Sequence, residues 1–309
     1  MARAISLIED EDASAAALVR DIFPHTGRSY LIGVTGPPGA GKSTLVDRLT
    51  AETRQAGETV GVLAVDPTSP FTGGAILGDR LRMQTHAQDD QVFIRSMATR
   101  GHMGGLSRTT GDAALVLDAA GKSLVIIETV GVGQDEVDIV RTADVSIVVL
   151  VPGTGDDVQA LKAGIMEIAD IYVVNKCDRE GADRMVTSIE SNLALQSFSD
   201  GEWRPPIVKT EANTGRGVAE LWHTIKAFRA HSEGARIKRL QARNEFRLRD
   251  LLTHRFMEHV ERDVLGPGQF EALVERIAKR EIDPYTACSD ILSAALKSGG
   301  TGHQAPGTK

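Results

Sequence analysis

Gly36-Pro37-Pro38-Gly39-Ala40-Gly41-Lys42-Ser43 follows directly on the apolar run Tyr30-Leu31-Ile32-Gly33-Val34-Thr35 and precedes the amphipathic run Thr44-Leu45-Val46-Asp47-Arg48-Leu49. A G-x-x-x-x-G-K-[ST] string between a strand and a helix is a phosphate-binding loop pattern. Glycines let consecutive backbone N–H groups turn inward around a β-phosphate, which assigns polyphosphate contact to Gly36, Gly39, Ala40, Gly41 and Thr44. Lys42 neutralises charge on the β and γ groups, and the Ser43 hydroxyl can ligate Mg²⁺. Further along, Asn175-Lys176-Cys177-Asp178 closes the β-branched run Ile171-Tyr172-Val173-Val174. Asp178 can accept hydrogen bonds from the N1–H and exocyclic amino group of guanine, groups that adenine presents differently. Asn175 would tie this loop to the phosphate loop, and the Lys176 stem can lie along the base plane. The expected ligands are therefore GTP and GDP.

Carboxylates at strand ends supply the candidate metal ligands. Asp66 closes Leu63-Ala64-Val65-Asp66, a placement that favours Mg²⁺, while Asp79 in Leu77-Gly78-Asp79-Arg80 fits a helix cap or turn as well as a ligand. The stretch Val125-Ile126-Ile127-Glu128-Thr129-Val130-Gly131-Val132-Gly133-Gln134 is similar to the second Mg²⁺ and γ-phosphate segment of GTPases, with Glu128 where aspartate is commoner and the Gly131 N–H offered to the γ-phosphate. Three carboxylates are generous for an ion that keeps several waters, so at least one is expected to act through water or in one nucleotide state. Val132 stands where Ras-like enzymes carry a glutamine that orients the attacking water. Unaided hydrolysis is thus expected to be slow, with charge stabilisation supplied by a moving segment or a partner. Glycine-rich runs at 72–74, 100–105 and 152–157 look like switches; His102 within them is a ligand or base candidate, although a lone loop histidine is more often solvated.

These residues need a scaffold that brings strand ends together. Short β-branched runs at 31–35, 60–65, 92–95, 123–129, 145–151, 171–174 and 207–210 alternate with longer helical stretches, the pattern of parallel strands joined by crossover helices. The expected fold class is α/β, a doubly wound, mostly parallel sheet, with each candidate residue after the carboxyl end of a strand. Residues 1–29 read as an N-terminal helical extension with one helix over 2–23, 30–233 as the nucleotide-binding domain, 234–298 as a C-terminal helical region, and 299–309 as a disordered tail. Within the C-terminal region Arg236, Lys238, Arg239, Arg243, Arg247 and Arg249 alternate with acidic and apolar residues, which suits a solvated helix or dimer arm better than a nucleic-acid surface.

The chain has 309 residues and a formal net charge of -7, with a pI of about 5.7, so no global positive field draws it to nucleic acid or an anionic membrane. The two cysteines, Cys177 and Cys288, have no neighbour at metal or disulfide spacing, which fits a reducing cytoplasm. No apolar run is long enough to span a bilayer, and the first residues, with Glu9, Asp10, Glu11 and Asp12, read as an amphipathic helix rather than a signal peptide.

Taken together, these strings resemble the MeaB/ArgK family of GTPases, which includes the methylmalonic aciduria type A protein. The resemblance rests on Pro24-His25-Thr26-Gly27, the loop Gly36 to Ser43, the run from Val65-Asp66-Pro67-Thr68-Ser69-Pro70 through Leu77-Gly78-Asp79-Arg80, Arg95-Ser96-Met97-Ala98-Thr99-Arg100-Gly101, Glu128 to Gln134, Asn175 to Asp178 and Asp283-Pro284-Tyr285-Thr286-Ala287. It implies a GTP-dependent chaperone of an adenosylcobalamin-dependent acyl-CoA mutase such as methylmalonyl-CoA mutase, gating cofactor loading and protecting or reactivating the enzyme. The cobalamin adenosyltransferase is a further candidate partner, and a homodimer built through the C-terminal helices is implied as well. Lys42, Ser43, Asp66, Asp79 and Glu128 fall on the family's nucleotide and Mg²⁺ positions, and Lys162 on a third switch that senses the partner. Thr210-Glu211-Ala212 departs from a serine-alanine pair that commonly contacts guanine; the Ala212 N–H could still reach the guanine oxygen, with Glu211 beside it. Two other readings compete. A P-loop kinase linked to amino-acid transport would need an acceptor site and base, and a nickel-inserting GTPase would need His- or Cys-rich tracts.

Overall fold

The seven β-branched runs form seven parallel strands in the computed structural model, which describes residues 1–66, 84–86, 88–98, 108–129, 142–153 and 168–298. They are β1 (Tyr30–Thr35), β2 (Val60–Asp66), β3 (Val92–Ala98), β4 (Leu124–Glu128), β5 (Val145–Leu150), β6 (Ile171–Val174) and β7 (Ile207–Lys209), in the order β3-β2-β4-β1-β5-β6-β7. All six pairings are parallel, so the sheet is wholly rather than mostly so. Every residue of β1, β4, β5 and β6 is buried, which is why these runs are mostly apolar: helices cover both faces.

One face packs Leu45, Val46 and Leu49 of α3 (Lys42–Gln55) beside Leu221, Trp222, Ile225 and Phe228 of α6 (Val218–Ser232). The opposite face is covered by α1 (Ala2–Glu9), α2 (Ala15–Ile22), α4 (Arg108–Ala119) and α5 (Ala182–Leu193). The N-terminal stretch is two helices rather than one. Asp12 Oδ1 accepts from both the N–H and the hydroxyl of Ser14, and Glu11 adopts a left-handed φ of 49°, so the acidic run 9–12 turns the chain between them. Ile5 and Ile8 are fully buried against α4, which makes α1 part of the sheet's cover. Buried Asp118 accepts the N–H groups of Gly27, Arg28 and Ser29 at 2.5, 3.2 and 3.0 Å and so aims the chain into β1.

The chain divides into two compact units, Met1–Leu240 and Gln241–Lys309. In the second, the end of α7 (Arg236–His259) runs into a wider π turn at Val260–Val264. The helical region is interrupted at Gly266-Pro267-Gly268 before α8 (Gln269–Ala278) and again before α9 (Pro284–Ser298), where Asp283 caps the N–H groups of Tyr285 and Thr286. Among the described residues no helix is long and apolar enough to cross a membrane.

At the amino edge of the sheet, Asp170 sits 3.7 Å from Arg239 and accepts the Ser146 N–H, and burial pushes its carboxyl up to about 6. Because the folded value lies above the unfolded one, the native protein holds the extra proton between roughly pH 4 and 6, and the ionised carboxylate costs stability as pH rises through that window. Asp170→Asn, which keeps an acceptor for Ser146, is expected to raise the unfolding temperature more at about pH 7.5 than at about pH 5 in calorimetry. An equal change at both pH values would mean that titration of Asp170 does not contribute.

Candidate functional site

Strand β1 has β4 on one side and β5 on the other, so its carboxyl end opens at the reversal of strand order, where open α/β sheets bind ligands. The loop 36–41 occupies that point. Gly36 has φ of +140°, and a Cβ there would lie 2.1 Å from the Val149 carbonyl oxygen; Gly41 has φ of +84°, and its Cβ would lie 2.5 Å from Asn175 Nδ2. Only glycine meets both demands, left-handed backbone and close approach. The loop then enters α3 with Lys42 and Ser43 in its first turn, both nearly buried, followed by Thr44. Lys42 Nζ donates to the carbonyls of Gly36 at 2.7 Å and Pro37 at 3.1 Å, which holds the ammonium inside the loop it would share with phosphates.

From the neighbouring strand, Glu128 at the end of β4 accepts the Ser43 hydroxyl proton at 2.6 Å, with both side chains buried. The hydroxyl and carboxylate are hard oxygen donors of the kind Mg²⁺ takes, so the residues present fit the ion. The backbone of Asp66 ends β2 two residues beyond Ala64, the register partner of Glu128. Directly after Glu128, the Thr129 hydroxyl donates to that of Thr35 at 2.9 Å, linking the ends of β4 and β1. The only sequence signal for this pair is a hydroxyl residue at each strand end. Asp79, Gly131 and Lys162 lie outside the described residues, as do His102 and the runs 72–74, 100–105 and 154–157.

The base loop joins the phosphate loop through Asn175. Its Nδ2 donates to the Ala40 carbonyl at 2.8 Å, while its Oδ1 accepts from the Thr210 hydroxyl and the Ala212 N–H, each at 3.1 Å. Lys176, at a left-handed φ of 55°, reaches back to the Gly39 carbonyl at 2.8 Å, laying its stem across the site. Asp178 is exposed, and Glu211 is half-buried in a bridge with Arg216. The arrangement thus places Ser43 and Glu128 together at the phosphate end, and brings Asn175, Lys176 and Ala212 together at the base end. Gly41→Ala is expected to push Asn175 off Ala40 and weaken GDP binding by roughly tenfold, read by titration with a labelled nucleotide. Unaltered affinity would show that Asn175 does not couple the two loops.

Comparisons place this geometry among known proteins. Residues 1–264 match the family described as "Methylmalonyl Co-A mutase-associated GTPase MeaB". A Pyrococcus abyssi protein named as a GTPase is 51% identical over 304 residues, 96% of this chain and 93% of that one. The mouse "Methylmalonic aciduria type A homolog, mitochondrial" is 32% identical over 275 residues, 87% of this chain and 66% of its own. A solved structure described as a LAO/AO transport system kinase superposes with a TM-score of 0.69 at 27% identity, over 94% of this chain and 91% of that one.

Proposed function

Because this chain belongs to the MeaB family of methylmalonyl-CoA mutase-associated GTPases, we propose that it couples GTP hydrolysis to the care of an adenosylcobalamin-dependent acyl-CoA mutase. In this reading it gates cofactor loading and protects or reactivates the mutase. The observation that carries the reading is the family match over residues 1–264, within which a phosphate loop, a Ser43–Glu128 pair and an Asn175-centred base loop meet along the carboxyl edge of the sheet.

The chain is a P-loop GTPase, converting GTP and water to GDP and phosphate. Loop 36–41 and Thr44 would cradle the phosphates, with Lys42 leaving the Gly36 and Pro37 carbonyls to neutralise the β and γ oxygens. Ser43, Glu128, Asp66 and Asp79 would hold Mg²⁺. When bound, that ion neutralises charge that develops on the transferred phosphoryl group. The Gly131 N–H would meet the γ-phosphate, and Lys162 would respond to the partner. At the other end Lys176 would lie along guanine and Asp178 would read its N1–H and amino group. The Ala212 N–H, engaged by Asn175, would reach the guanine oxygen only by sharing that bond. With Val132 in place of a water-orienting glutamine, the chain turns over slowly alone and is stimulated by the mutase.

A homodimer through the C-terminal helices fits the second unit, where Leu248, Leu252, Tyr285 and Leu296 are 59%, 61%, 87% and 80% exposed. The kinase reading, which the LAO/AO description brings forward, calls for ATP and a small-molecule acceptor. Co-elution of the purified chain with an adenosylcobalamin-dependent mutase, in GDP and in a non-hydrolysable GTP analogue, tests the proposal. A complex whose stability depends on the nucleotide supports it; failure to associate in either nucleotide contradicts it.

A further inference from the structure

Arg48 lies on α3 beyond the turn that carries Lys42 and Ser43, and its guanidinium leaves the phosphate end altogether. Nε donates to the Ala212 carbonyl at 3.2 Å and Nη2 to the Asn213 carbonyl at 2.9 Å. One exposed side chain therefore ties the phosphate-loop helix to two consecutive peptides of the base loop, opposite in role to Asn175, which holds the same loop through the Ala212 N–H. In a trans peptide the C=O of one residue and the N–H of the next point in opposite directions, and the chain contains no cis bond among the described residues. Holding the Ala212 carbonyl thus directs the Asn213 N–H away from Arg48.

The three successive N–H groups of this loop have different fates. That of Ala212 goes to Asn175 and that of Thr214 goes to the Glu211 carbonyl at 3.1 Å, whereas that of Asn213 meets no acceptor among the described residues. We propose that Arg48 is a positioning residue for base selection: it fixes the 212–213 peptide so that the Asn213 N–H is the donor for the 6-oxo group of a purine nucleotide. The inference rests on the reading of 210–213 as the guanine loop. Arg48 reaches no phosphate contact itself; its effect passes through the peptide it holds.

The test compares Arg48→Met with the wild type for binding of GDP, IDP and ADP to the full chain by calorimetry. GDP and IDP share the 6-oxo oxygen and ADP lacks it. GDP and IDP binding should weaken together, by roughly fivefold to tenfold, with the GDP-to-IDP ratio unchanged because Asp178 reads the 2-amino group. ADP binding should stay as it was. An equal loss for ADP would mean a general disturbance of α3 and would overturn the proposal, as would unaltered GDP binding. A wild type that binds GDP no better than ADP would instead sink the guanine reading itself, and this inference with it. Asn213→Pro, which deletes the N–H and leaves Arg48 in place, is expected to reproduce the selective loss; proline tolerated without change in GDP affinity would count against the assigned donor.

Discussion

Asp178→Asn is expected to exchange GTP for XTP as the preferred nucleotide. The wild-type carboxylate offers only acceptors, matched to two guanine donors, the N1–H and the 2-amino group. An asparagine amide offers one donor and one acceptor, which leaves the 2-amino group facing an N–H and instead suits xanthine, whose 2-oxo group accepts. Replacing one matched contact by a donor–donor mismatch corresponds to a fall of roughly 10²-fold or more in GTP affinity, with XTP gaining by a comparable factor. Asp178 is exposed and follows β6 rather than packing beneath it, so the substitution leaves the fold intact. Competition binding with GTP, XTP and ATP reads the outcome; unchanged selectivity would mean that the base is read elsewhere.

Lys42→Ala is expected to remove most of the hydrolytic rate. The ammonium sits 2.7 and 3.1 Å from two loop carbonyls, from which it would turn to the phosphoryl oxygens. Deleting one preorganised charge of this kind costs about 10²- to 10³-fold in kcat, beyond any weakening of GTP binding. Single-turnover measurement at saturating GTP separates the two effects. A rate within a few-fold of wild type would remove Lys42 from the chemistry.

Much of this architecture was legible because its signals are local. Runs such as Ile147–Leu150 and Ile171–Val174 are apolar at every position, and only strands covered on both faces need that. Asn175 was likewise legible, since its motif fixes a side chain whose partner, the Ala40 carbonyl, belongs to a second recognisable motif. The interruptions were harder. The N-terminal helix divides because Asp12 prefers bonds to Ser14 over continuing the helix, and that competition between side chain and backbone is not visible in the apolar periodicity. Arg48 was beyond reach for a different reason: its partners are backbone carbonyls 164 and 165 residues away, and a carbonyl carries no sequence signature. Ser43 and Glu128 show the intermediate case. Each was a candidate ligand on its own, but that one donates to the other at 2.6 Å follows from the adjacency of β1 and β4.

Whether GTP turnover in this chain serves an adenosylcobalamin-dependent mutase is decided by the steady-state GTPase rate of the purified protein with and without such a mutase from the same organism, with ATP in parallel. A slow basal GTP rate, marked acceleration by the mutase, and little turnover of ATP are expected. An unchanged GTP rate in the presence of the mutase, alongside robust ATP-dependent phosphorylation of a small molecule, would contradict such a role.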